Sequence, residues 1–156
     1  MASSSRAATE LRTAAVDAAT VSSRADFDRR VRTPWLEAGV LCLRSDETAR
    51  ASTGAADREA QKDRGTGLTP LEHVRFSRWM GELDIHVAEQ YLLVGQREIL
   101  QITNRKRADG TAIGFEEAGR YWHSDMSYLD EPVMASIMHA KSIPPVGGDT
   151  LFADMA

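Results

Sequence analysis

The order of its patterns constrains this chain most. Helical spacing gives out after Gly81, and the second half is cut into short pieces with strand character. "EILQIT" reads as a strand and "NRKRADGTAIGFEEAG" as a long loop with two charged patches. "RYWHSDMSY" is strand-like, and "MASIMHAKSI" sends alternate residues to two faces. "PPVGG" forces a turn, after which "DTLFA" restarts a strand. Helices first and crowded strands after them predict an α+β, mainly β architecture, with helices packed on a sandwich or barrel.

The helices carry their own signals. In "LTPLEHVRFSRWMGEL", Thr69 is an N-cap, Pro70 suits the first helical position and Glu72 completes a capping box. Leu71, Val74 and Met80 recur at helical spacing, flanked by Phe76 and Trp79, and Gly81 ends the run. Ser23 with Asp26 resembles a second capping box, opening a helix over "ADFDRRVRTPWLEA". Pro34 is expected to kink or interrupt that helix, and Gly39 to stop it. "VLCLR" then reads as a short buried strand, with Cys42 a buried inert thiol.

Residues 45–67 are small, polar and charged without apolar period, a surface excursion. Residues 1–34 are expected to be partly helical or disordered. Their first 24 residues hold three arginines, but Glu10 and Asp17 argue against a transit peptide, and no apolar core marks a secretory signal. Cytoplasm is the default location. A net charge of −4 gives no electrostatic reason to expect nucleic acid or an anionic membrane as partner. No apolar run approaches the roughly 20 residues of a membrane-spanning helix. A single cysteine excludes an internal disulfide and a multi-thiolate zinc site.

The chemistry-bearing stretch is "RYWHSDMSYLDEP". In a strand, residues two apart share a face, so His123 and Asp125 would project together with Ser124 turned away. An imidazole and a carboxylate side by side supply two ligands to a divalent metal, and iron(II) is well served by two histidines and one carboxylate. With four histidines and 23 acids in the chain, a chance His-x-Asp match is common. A histidine and an aspartate that merely hydrogen-bond to loops is the competing interpretation of the pair by itself.

The surroundings narrow the choice. "YWHSDMSYLDEP" followed by "SIMHAKSIPPVGGDTLFADM" closely resembles the TauD/TfdA family of iron(II)- and 2-oxoglutarate-dependent dioxygenases. That family carries its first two iron ligands on Trp-His-x-Asp and follows them with Pro-x-x-Gly-Gly-Asp-Thr. "GVLCLR" resembles its early strand, and "LTPLEHVRFSRWMGELDIH" its Thr-Pro helix and the turn after it, with Trp79-Met80 replacing the usual pair. The resemblance runs over residues 35–156, with 45–67 as an apparent loop insertion.

The resemblance implies a double-stranded β-helix (jelly roll) with flanking helices, of which this chain would be the N-terminal half. It implies His123 and Asp125 as iron ligands and Thr150 as a hydrogen-bond donor to a carboxylate of 2-oxoglutarate. His86 stands where some members place a substrate-contacting histidine, and Met126 and Tyr128 follow the ligands and could line the substrate pocket. Core packing explains those two equally well, and His73 and His139 look like packing or surface positions. The implied partners are dioxygen and a small, anionic organic substrate that is hydroxylated as 2-oxoglutarate is decarboxylated. The family's second histidine and its 2-oxoglutarate-pairing arginine follow far downstream of Gly-Gly-Asp-Thr, so the domain is expected to be truncated and the chain inactive alone. The alternative is a catalytically inactive remnant or binding fragment. A zinc hydrolase built on His123 and Asp125 is a third reading, which leaves "GGDT" without a role.

Overall fold

The computed structural model describes residues 12–14, 16, 18–43, 68–142 and 146–153. The expected insertion at 45–67 lies outside the described residues. The chain divides into two compact units, one of residues 1–67 with 140–156 and the other of residues 68–139.

In the first unit, β1 (Arg12–Ala14) pairs in parallel with β2 (Leu41–Leu43), Thr13 lying opposite Cys42. Parallel strands need a crossover, and the helical segment between them supplies it. Ser23 caps α1 (Arg24–Phe27) by accepting the Asp26 backbone N–H at 3.2 Å, as the capping signal predicts. Asp26 in turn binds Arg29 at 2.6 Å and Arg30 at 2.8 Å. The hydrogen bond from Arg30 is the largest influence holding its carboxyl below the usual range.

Pro34 does not end the helix, but the α-helical winding is interrupted just before it. The chain widens into a π-helical turn over Asp28–Arg32 and continues as α2 (Thr33–Ala38). The Thr33 N–H reaches back five residues to the Asp28 carbonyl, and this wider winding accommodates a ring that would otherwise meet the carbonyl four residues earlier. Gly39, at φ 72°, closes α2 as expected. Val16, Ala18, Val21, Phe27 and Val31 are buried in this unit, Phe27 completely. Cys42 is half-buried rather than buried, because β2 has a strand neighbour on one side only among the described residues.

In the second unit, α3 (Pro70–Ser77) has the capping box its sequence announces. Thr69 Oγ1 accepts the Glu72 N–H at 3.3 Å, and Glu72 Oε2 accepts the Thr69 N–H at 2.7 Å. The buried residues of α3 are Val74 and Phe76. Leu71, expected on the inner face, is 46% exposed because it sits in the first turn. The helix packs on β4 (Gln96–Leu100), which pairs antiparallel with β3 (Leu92–Leu93), and Arg78 joins Glu98 at 2.8 Å. The "NRKRADGTAIG" loop folds back on itself. Lys106 bridges Ala112, and the Phe115 N–H donates to the Gln101 carbonyl at 2.7 Å.

Two expected strands are absent. Residues 125–128 form a turn, with Met126 at φ 48° and the Leu129 N–H donating to the Met126 carbonyl at 3.1 Å. A left-handed residue breaks the pleat a strand requires. "DTLFA" is likewise outside any ladder at its described residues 149–153. Of the alternating stretch, residues 134–140 do alternate, with Ala135, Ile137 and His139 half-buried like Val133 before them and Met134, Ser136, Met138 and Ala140 exposed, and the pattern lapses at Lys141 and Ser142, both exposed. This period-two pattern occurs without a paired neighbour among the described residues. The described strands make two two-stranded sheets.

Candidate metal centre

His123 and Asp125 come together although their segment is a turn. His123 Nε2 lies 3.2 Å from Asp125 Oδ1, with both side chains about half exposed (51% and 49%). The other ring nitrogen, Nδ1, lies 2.6 Å from the Tyr121 carbonyl oxygen. Each ring nitrogen faces an acceptor, Nδ1 the Tyr121 carbonyl and Nε2 the carboxylate, and when the ring carries one proton on Nδ1 the Nε2 lone pair faces the carboxylate. The second carboxylate oxygen, Oδ2, accepts a hydrogen bond from Ser136 Oγ at 2.5 Å.

This leaves two electron-pair donors, Nε2 and Oδ1, opposed at close range. Either a proton or a cation must sit between or beside them, since two lone pairs repel. Adjacent ligands on a metal with bonds of about 2.1 Å at right angles stand about 3.0 Å apart, close to the separation seen here. The donor set, an imidazole anchored through Nδ1 and a carboxylate with its far oxygen held, therefore suits a divalent metal. Among the described residues, no group of three or more His, Cys, Asp and Glu side chains is placed to hold a metal.

The remaining residues singled out by sequence are distributed as follows. His86 is half-buried on a loop, its ring 6.4 Å from that of Phe115, which stacks on Tyr91 at 5.5 Å. His86 Nδ1 accepts the Ala88 N–H at 3.0 Å, which assigns the proton of the neutral ring to Nε2. Met126 is half-buried in the turn after Asp125, and Tyr128 is 63% exposed. Thr150 belongs to the first unit and is exposed, preceded by Gly147 at φ 74° and Gly148 at φ 78°. His73 and His139 are packing residues: His73 Nε2 donates to the Ile137 carbonyl at 3.1 Å, and the two rings meet edge-on at 5.6 Å. An open cleft of about 520 Å³ is lined by Arg78, Gly81, Glu82, Leu83 and Glu98, none of them a predicted site residue.

Ser136 and the Tyr121 carbonyl were not among the residues that motif reading selects. The available signal was Ser136 itself, a lone hydroxyl between two methionines on the exposed face of an alternating segment.

Comparison with known proteins bears on the family of the chain. The model of the family described as taurine catabolism dioxygenase TauD, TfdA family matches residues 64–156. The chain belongs to the TauD/TfdA family. The family match spans α3, the His123–Asp125 turn and Thr150, and TauD/TfdA membership implies a jelly-roll fold. Among curated relatives, the chain is 31% identical over 101 residues to the alpha-ketoglutarate-dependent 2,4-dichlorophenoxyacetate dioxygenase of Burkholderia sp. (strain RASC), over 59% of this chain and 34% of that protein. It is 30% identical over 101 residues to the protein of the same name from Cupriavidus pinatubonensis, over 59% of this chain and 35% of the relative. The chain thus spans about a third of the length of these TauD/TfdA relatives. No solved structure matches it. Among the described residues, no helix is long and apolar enough to cross a membrane.

Proposed function

We propose that this chain contributes the metal-binding turn of an iron(II)- and 2-oxoglutarate-dependent dioxygenase that hydroxylates a small organic acid. The observation that carries the reading is the facing pair His123 Nε2 and Asp125 Oδ1, 3.2 Å apart, with each partner's other polar atom already engaged. Family membership and the names of the two relatives support it. When bound, iron with 2-oxoglutarate supplies oxidative decarboxylation of the cosubstrate coupled to hydroxylation of a C–H bond.

The chain's own residues orient the components. His123 and Asp125 hold the metal. Thr150 donates its hydroxyl to a carboxylate of 2-oxoglutarate without adding charge. His86, with its proton on Nε2, offers a donor to an anionic substrate while Phe115 and Tyr91 support its ring. Met126 and Tyr128, adjoining the ligands in sequence, line the substrate's side of the metal. The relatives act on an aryloxyacetate by name, and an aryloxy acid is the substrate class we assign here.

Manganese(II), a paramagnetic and redox-stable substitute for iron(II), tests this directly by NMR. Broadening confined first to the His123 ring and the Asp125 neighbourhood, and strengthened by 2-oxoglutarate, is the expected result. Broadening spread evenly over exposed acids, or absent at His123, would sink the reading.

A further inference from the structure

We infer that Ser136 is a positioning residue for the metal pair: its hydroxyl locks the Asp125 carboxylate so that Oδ1, and not Oδ2, faces His123 Nε2. The inference rests on the metal reading above and adds a residue to it. An exposed aspartate rotates freely and offers either oxygen, so a two-residue turn alone cannot hold the pair in one geometry. Ser136 removes that freedom by donating to Oδ2, while the Tyr121 carbonyl removes the corresponding freedom of the imidazole. The two side chains are thus each held from behind, with their remaining donors toward one another.

Ser136 can do this because of where its segment is fixed. Val133, Ala135, Ile137 and His139 turn inward, and Ser136 falls on the outward face between Met134 and Met138. His73, on α3, donates to the Ile137 carbonyl next to Ser136, so the segment's depth is set by the helix. A hydroxyl suits the task better than an amine or a carboxylate. It donates to a carboxylate without cancelling the charge that attracts the metal.

The test is manganese(II) affinity of the full chain, read from the broadening of the His123 ring signals and from the loss of the free manganese(II) electron paramagnetic resonance signal. Ser136→Ala should weaken binding by about 10–100-fold, the range for loss of a group that orients a metal ligand. Ser136→Thr, which keeps the hydroxyl, should restore affinity to within a few-fold, while Ser136→Val, of the same shape, should not. Wild-type affinity in the Ala and Val variants would overturn the inference and leave the metal pair standing. A wild-type chain that shows no preference for His123 would remove the metal reading, and the role of Ser136 with it. Loss of fold in Ser136→Ala would assign the residue to the scaffold and overturn the positioning role.

Discussion

The imidazole of His123 and the carboxylate of Asp125 approach to 3.2 Å across a turn whose next residue, Met126, is left-handed at φ 48°. The Tyr121 carbonyl oxygen lies 2.6 Å from the ring nitrogen Nδ1 of His123. With a metal bound at Nε2, the remaining ring proton should be found on Nδ1, donating to the Tyr121 carbonyl. Asp125→Asn should keep the fold, since the residue is exposed and such substitutions stay within about 0.5 kcal/mol. It should nevertheless lower manganese(II) affinity at least tenfold, because an amide is a weak ligand and brings no charge.

The cap of α3 offers a purely structural comparison. Thr69 and Glu72 satisfy one another's orphan backbone donors, and the box lies on exposed surface. Thr69→Ala should cost about 1 kcal/mol in urea unfolding. Metal affinity should be unchanged, since the cap touches neither ligand.

A tighter constraint sits at Gly114, which is buried with its missing side chain aimed at the backbone. A Cβ there would lie 2.5 Å from the Gln101 carbonyl oxygen and 2.8 Å from Thr103 Cγ2. Backbone cannot swing aside as a side-chain tip can, so Gly114→Ala should destabilise by about 1–3 kcal/mol, as overpacking does. It should also shift the ring signals of Phe115 and His86, whose contact depends on the Phe115–Gln101 hydrogen bond.

These cases show which parts of the fold were legible in the sequence. The caps at Ser23 and Thr69 and the stop at Gly39 were readable because each is a local contract between a side chain and backbone a few residues away. The alternation of residues 134–140 was readable for the same reason, as period two survives even without a paired neighbour among the described residues. What failed depended on context. Pro34 reads as a helix breaker, yet a π-helical turn absorbs it, and nothing in "RRVRTP" announces wider winding. "RYWHSDMSY" reads as a strand because its composition suits one, and the left-handed Met126 has no sequence marker. The candidate site shows the same division. The His-x-Asp pair was found by motif, whereas Ser136 is eleven residues from Asp125 and is brought to it only by the path of the chain.

Acid should act late on the surface loop at Asp109. The Thr111 hydroxyl donates to Asp109 Oδ1 at 2.7 Å and the Thr111 N–H donates to it at 2.9 Å, and these bonds favour the charged carboxylate and lower its pKa. A group whose folded pKa is depressed stabilises the fold above its unfolded pKa, and that contribution disappears as pH falls through the folded value. Asp109 should therefore titrate below ordinary aspartates, with the Thr111 amide signal moving in step. Asp109→Asn should abolish that movement. An Asp109 titrating with the bulk of the carboxylates would contradict the geometry.

His73 provides the sharpest separation between stability and site. It lies on α3, fifty residues before His123, yet its Nε2–H donates to the Ile137 carbonyl and its ring meets His139 edge-on. Removing that half-buried donor should cost about 0.5–1.5 kcal/mol, the net worth of an ordinary hydrogen bond, with some packing besides. If the bond also sets the position of Ser136, His73→Ala should weaken manganese(II) binding severalfold although no ligand is touched. Thr69→Ala should produce a comparable loss of stability with no change in binding. The two variants, matched in unfolding free energy, separate a general softening of the unit from a specific loosening of residues 133–139. Equal metal affinity in both would mean that Asp125 is held without help from the helix.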